Sequence, residues 1–205
     1  MMWIMLTKKS FKKFHRDVQI YNSADYISNT EQSGTDDPML NYPVEYLNAL
    51  KCSGLPLSQL ELKIGCPIMI LKNLDAKSGV CNGSRAILKR ARSRVLEVEL
   101  LTRDNAGKRI FIPRIFNQPT EDQIAFKFIR RQFPIRLCFS MTINKSQGQS
   151  VKHVGLDLRS PVFTHGQFYV GVSRVTSVAN IKAIWKEEME EAKTKNIVYS
   201  EVLLK

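Results

Sequence analysis

The sequence predicts an α/β fold, with a small antiparallel β-barrel in the middle of the chain and a partial parallel sheet after it. Two changes in hydrophobic pattern predict this. Between Leu62 and about Phe116, short apolar runs are separated by tight turns, the pattern of an antiparallel barrel. From Pro134 onward, apolar strands alternate with helical stretches, the pattern of a parallel sheet. The 205 residues are enough for one large domain or two small ones with cores of their own.

Taken in order, the chain begins with a basic segment, Lys8, Lys9, Lys12, Lys13 and Arg16. Phe11, Phe14 and Val18 within it stand at helical spacing, so an amphipathic helix is expected. The polar stretch "SNTEQSGTDDP" (28–38) reads as a mobile loop. "VEYLNAL" (44–50) follows Pro43 and reads as a short helix with Pro early in it. "CPIMIL" is a continuous apolar run and reads as a buried strand. "NGS" (82–84) is a turn before "RAILKR". "VLEVELL" (95–101) alternates, with Leu96, Val98 and Leu100 on one face. "RDNAG" (103–107) turns the chain, and "RIFIPRIF" returns with Ile110 and Ile112 on one face. Arg85, Lys89, Arg90, Arg92 and Arg94 make this part basic.

Further on, "IRLCFSMT" is a strand, and "NKSQGQS" opens a turn or short helix with Asn144 as N-cap and Gln147 three residues later. "HVGLDL" (153–158) and "IKAIW" (181–185) are strands. "THGQFYVGVSRV" (164–175) is a helix, with Thr164 and Gln167 as a capping box and Phe168, Val172 and Val175 on one face. "KEEMEEAKTK" closes as a charged helix with a solvated face.

Composition narrows the function. Lys and Arg number 31 against 19 Asp and Glu, a net charge of +12, which favours a polyanionic partner over a merely solvated basic surface. Cys52, Cys66, Cys81 and Cys138 form no C-x-x-C pair and have no His at ligand spacing, so no metal site is expected and the thiols read as buried and reduced. No apolar run approaches the ~20 residues of a membrane span. The N-terminal "MMWIMLTKKSFKKFHRD" lacks the order of charges and apolar residues of a signal peptide. The cell interior is the expected compartment.

The chemistry-bearing stretch is "TINKSQGQS" (142–150), directly after an apolar strand. Thr142, Asn144, Lys145, Ser146 and Gln147 offer hydroxyl, amide and ammonium donors, and Gly148 lets a backbone approach closely. Such a set suits phosphate oxygens of a nucleotide or of a nucleic-acid backbone. Spacing alone favours a polar turn with ordinary capping. Arg174, in "GVSRV", is either a cation favoured at a helix C-terminus or an arginine that reaches a transferring γ-phosphate. Spacing does not decide between these two readings of Arg174.

Longer motifs bear on that choice. "YPVEYLNAL", "SGLPLSQLELKIGCPIMILKNLD", "GVCNGSRA", "RIFIPRI", "RRQFPIRLCFSMTINKSQGQS" and "FTHGQFYVGVSRVTS" stand in order. Together they closely resemble the C-terminal half of the Pif-one family of superfamily-one DNA helicases, which includes the helicase parts of Helitron transposons. The resemblance implies an ATP-driven motor moving 5′ to 3′ on single-stranded DNA, with ATP between two RecA-like lobes. It implies that residues 62–130 are an inserted barrel of the Src-homology-three type, and that 1–61 and 131–205 make up the second lobe. "TINKSQGQS" matches the family's motif five, so Thr142, Asn144, Lys145 and Ser146 would face DNA, and Gln147, Gly148 and Gln149 the nucleotide side. "FYVGVSR" matches motif six, so Arg174 would touch γ-phosphate, with Gln167 and Tyr169 supporting its helix. The family's roles are replication, repair, recombination and telomere maintenance, which implies a nuclear location, with the mitochondrion as alternative.

One departure is decisive. No G-x-x-x-x-G-K-[ST] phosphate loop occurs in the sequence, and no apolar strand ends in a paired Asp-Glu for Mg²⁺. ATP and Mg²⁺ are therefore expected only where a phosphate-loop lobe is supplied, and this chain is expected not to hydrolyse ATP by itself. The first 16 residues also differ from the family's usual lead-in, which suggests a truncated or transposon-derived product. The alternative is a single-stranded nucleic-acid-binding module without catalysis. Phe128 and Phe133 around Arg130 and Arg131 would then stack on bases, although most phenylalanines are core residues.

Overall fold

The computed structural model describes residues 17–27, 42–101, 105–119, 124, 126–186 and 193–203. Among them the chain divides into two compact units, with the boundary between Cys138 and Phe139. The amphipathic helix expected over residues 11–18 lies outside the described residues except for Asp17 and Val18, which are exposed. The loop expected at 28–38 and the middle of the charged stretch at 186–195 also lie outside them.

The first unit is built from antiparallel sheets. A five-stranded sheet has the order β10-β4-β5-β6-β7. Its strands are β4 (Pro67–Ile70), β5 (Arg85–Ala91), β6 (Val95–Leu100), β7 (Arg109–Pro113) and β10 (Ile135–Leu137). The alternation read in the sequence is realised here. Leu96, Val98 and Leu100 are fully buried on one face of β6, against Ala86 and Leu88 of β5 and Ile112 of β7. The turn at Asn82–Gly83 needs a left-handed residue, and Gly83 supplies it at φ 89°. A register shift between Leu88 and Arg90 bulges β5 at Lys89.

A three-stranded sheet, β2-β9-β8, joins β2 (Ala24–Ile27), β9 (Phe128–Gln132) and β8 (Ile115–Asn117). β1 (Gln19–Asn22) pairs with β3 (Gln59–Leu62). Strands β1, β2 and β3 were not anticipated from sequence. They are short, and their polar residues interrupt any apolar run. The helix α1 (Val44–Ala49) forms as expected, with Pro43 as its N-cap rather than inside it.

Arg130 ties these pieces together. It is buried, and it forms a forked ion pair with Asp25, the shortest contact being 2.7 Å. Its remaining donors reach the carbonyls of Leu47, Leu50 and Pro56. One guanidinium thus closes the C-terminal carbonyls of α1 and the loop after it. Phe128 and Phe133 are also fully buried, so they are core residues and do not offer stacking faces.

The second unit, among its described residues, holds a parallel pair, β11 (Val154–Asp157) and β12 (Ile181–Ile184). The helix α3 (Gln167–Val172) crosses between them, and α2 (Ile143–Ser146) precedes them. A 3₁₀ turn (Val178–Asn180) leads into β12, and α4 (Ser200–Leu203) ends the described chain. Ile143, Val154, Leu156, Leu158 and Val162 form the core, covered by Phe168, Val172, Trp185 and Ile197 among others. The run "IRLCFSMT" departs from expectation. Only Ile135–Leu137 is strand, and it pairs antiparallel with β4 in the first unit. A continuous apolar run suits either kind of sheet, and its partner is a tertiary choice.

Cys66 and Cys138 are buried, whereas Cys52 and Cys81 are partly exposed. Burial raises the pKa of the Cys66 thiol above its ordinary value. No helix among the described residues is long and apolar enough to cross a membrane.

Candidate nucleic-acid and nucleotide interface

Three features position the 142–149 turn. Ile143 is fully buried and anchors α2 to the second unit's core. That anchoring turns the neighbouring side chains outward, so Asn144, Lys145, Gln147 and Gly148 are exposed. Gly148 takes φ 76°, a conformation that costs other residues steric strain. Gln149 Nε2 donates back to the Lys145 carbonyl at 3.3 Å.

Three expectations need correction. Ser146 is only 2% exposed, and its hydroxyl donates to the Ile143 carbonyl at 2.6 Å, so it is an internal brace and not a surface donor. Asn144 is not the N-cap. Thr142 takes that position with extended backbone, without a side-chain cap bond, and Asn144 lies inside the helix. The capping box on α3 is also absent. Gly166 is the N-cap, and Gln167 is buried with its Oε1 accepting from the Phe163 N–H at 3.0 Å. The Tyr169 ring, expected to support the helix, is 67% exposed.

Arg174 lies just beyond α3, and its guanidinium meets the turn. Nη1 donates to the carbonyls of Ser146 (3.3 Å) and Gln149 (3.1 Å). Nε donates to the Val170 carbonyl at 2.8 Å, and Nη2 to Ser173 Oγ at 2.7 Å. The Arg174 carbonyl accepts from the Val151 N–H at 2.9 Å. Side chain and backbone of one residue therefore hold both ends of the 146–151 segment. The guanidinium thus serves the C-terminal end of α3, one of the two readings open in the sequence, and grips the turn as well.

Sequence reasoning missed Gly171. A Cβ there would lie 3.1 Å from Ile143 Cδ1 and 3.2 Å from Leu156 Cδ2. Its bareness lets α3 approach α2 and β11, which brings Arg174 within reach of the turn. A glycine inside a helical pattern was the available signal. Asp157 closes β11. It forms a forked pair with Arg159 at 2.6 Å, and that hydrogen bond, ahead of other causes, lowers its pKa below the ordinary carboxylate value. No His, Cys, Asp and Glu cluster that could hold a metal occurs among the described residues.

Residues 45–90 match the family model "DNA helicase Pif1, 2B domain". The ATP-dependent DNA helicase PIF1 of Homo sapiens is 35% identical over 133 residues, 63% of this chain and 20% of the relative. That of Xenopus laevis is 32% identical over 168 residues, 77% of this chain and 23% of the relative. This chain is homologous to the Pif1 DNA helicases. The similarity is to their C-terminal region, and the chain spans about a fifth of the length of the curated relatives it matches. Two solved Pif1 structures share the fold. The crystal structure of Pif1 helicase from Candida albicans superposes with a TM-score of 0.63 at 23% identity, covering 86% of this chain and 41% of that one. Pif1 from Bacteroides, solved in complex with ADP-AlF3 and ssDNA, gives 0.62 at 21% identity, covering 96% of this chain and 40% of that one.

Proposed function

We propose that this chain is the C-terminal motor portion of an ATP-dependent 5′-to-3′ DNA helicase, with half of a nucleotide site and part of a track for single-stranded DNA. In this reading residues 62–130 carry an inserted barrel of the Src-homology-three type, and the flanking segments form the second RecA-like lobe. Thr142, Asn144 and Lys145 face the DNA backbone. Gln147, Gly148 and Gln149 lead toward the nucleotide, and Arg174 reaches the γ-phosphate. ATP and Mg²⁺ are held only when a phosphate-loop lobe completes the site.

The observation that supports this reading best is the bonding of the Arg174 guanidinium to the Ser146 and Gln149 carbonyls. A phosphate competes for the same donors, because a guanidinium prefers an anion to a neutral carbonyl. Arrival of a γ-phosphate would draw Arg174 off the turn and change how Asn144 and Lys145 are presented. That exchange links nucleotide state to DNA grip, at the ~1–3 kcal/mol typical of coupling between sites. The homology to helicases crystallised with nucleotide analogue and ssDNA points the same way.

The test joins this chain to a phosphate-loop lobe and measures DNA-stimulated ATP hydrolysis. Arg174→Ala should abolish it, and unchanged hydrolysis removes Arg174 from the phosphate. Lys145→Ala should weaken single-stranded DNA binding and flatten its salt slope by about one unit. Turnover near ~1 s⁻¹ by the 205-residue chain alone would refute the need for a second lobe. The net charge of +12 supports a second reading, a binding module without catalysis. That reading gains if the joined protein binds single strands with a steep salt slope and never turns over ATP.

A further inference from the structure

We propose that the outer face of the three-stranded sheet in the first unit is a stacking platform for one unpaired nucleobase, with Phe116 as its surface and Arg131 as its cation. This deepens the nucleic-acid reading and rests on it, but it uses residues of the other unit from the 142–149 turn.

The platform follows from strand parity. Successive side chains of a strand point to opposite faces. In β9, Phe128, Arg130 and Gln132 point inward and are buried, which leaves Ile129 and Arg131 outside. The register sets Phe116 of β8 and Ala24 of β2 opposite Arg131, and Tyr26 opposite Ile129. Phe116 is 61% exposed. Its ring is nevertheless held in place. Arg131 Cζ lies 5.6 Å from the ring centroid, and Tyr26 meets it edge-on with centroids 6.2 Å apart. An exposed aromatic ring already fixed between a cation and a second ring offers a flat partner at little ordering cost.

Charge selects the occupant. On the five-stranded sheet three cations are paired, Lys89 with Glu99 and both Arg90 and Arg109 with Glu97, at 3.0–3.4 Å. The basic character expected of that region is thus partly cancelled within the sheet. On the three-stranded sheet the strands contain one acid, Asp25, and its side chain is buried against Arg130. Arg131 is exposed and has no carboxylate partner among the described residues. A π-face with an adjacent unbalanced guanidinium fits a nucleotide, whose base stacks while its phosphate meets the cation. A neutral apolar peptide would leave that guanidinium unanswered.

The test uses the full chain and a short fluorescein-labelled oligodeoxythymidylate, read by anisotropy. Phe116→Ala should weaken binding by about 5- to 150-fold, the range for one stacked base. Phe116→Trp should restore affinity, and its indole fluorescence should fall on binding beyond any change in the wild-type chain. Arg131→Gln should lower the salt slope by about one unit. Unchanged affinity in both Phe116→Ala and Arg131→Gln, with Lys145→Ala still weakened, overturns the platform and leaves the turn standing. Failure of the wild-type chain to bind the oligonucleotide at all overturns both. Self-association that Phe116→Ala abolishes while oligonucleotide affinity stays constant would assign the face to a second copy, and the proposal falls.

Discussion

Replacing Arg174 by lysine keeps the charge and removes the fork. In the structure Nη1 bridges two carbonyls of the turn while Nε holds the Val170 carbonyl of α3. A lysine ammonium is a point donor on a flexible stem and does not reproduce that geometry. The two bonds to the turn are charge-assisted, nominally about 1.5–3 kcal/mol each. At 3.1 and 3.3 Å, on a part-buried side chain, the lower end and some solvent screening apply. A combined loss of about 2 kcal/mol is the reasonable figure, about 30-fold in a local opening equilibrium. Native-state hydrogen exchange reads it directly. The Gln149 amide, bonded to the Ser146 carbonyl, and the Val151 amide, bonded to the Arg174 carbonyl, should lose about that much protection. Amides of β6, in the other unit, serve as the reference and should not change. Unaltered protection at Gln149 and Val151 would mean that the turn holds its shape without the guanidinium. The proposed link between nucleotide and DNA grip would then lose its physical basis.

Other substitutions test the frame around the site. Arg130→Met should destabilise the chain by about 3–5 kcal/mol in urea denaturation, because Asp25 is left charged and buried, and the double variant Asp25→Leu/Arg130→Met should recover much of the loss. Gly171→Val should cost about 1–3 kcal/mol by overpacking against Ile143 and Leu156, and it should weaken single-stranded DNA binding by displacing Arg174. Gly155→Ala, where a Cβ meets nothing within 4 Å, should be tolerated in the same denaturation assay. The Asp157 carboxyl is held below its ordinary value of 3.8 by the Arg159 hydrogen bond. The pair therefore stabilises fully above that value, and the contribution is lost as pH falls through the depressed pKa. Arg159 is about half exposed, so solvent screening keeps the effect small. Asp157→Asn should lower the thermal midpoint slightly at neutral pH and flatten its fall in acid.

Sequence by itself determined the strands whose residues alternate or run apolar without a break, such as β6 with Leu96, Val98 and Leu100. It also determined that a donor-rich turn follows Met141, because polar side chains beside Gly148 cannot continue an apolar strand. Periodicity is local, and these features need only neighbours along the chain. Tertiary structure alone decided which strand pairs with which. The start of the apolar run, Ile135–Leu137, joins an antiparallel sheet through contacts with residues some 67 positions away, as in Arg136 to Met69. Parity within β9 was likewise invisible until its partners were known. A one-residue shift of register would exchange Arg130 with Arg131 and bring Phe128 out of the core. The same holds for Arg174 and the turn it grips, which are 28 positions apart at Ser146 and meet only because Gly171 leaves room between two helices.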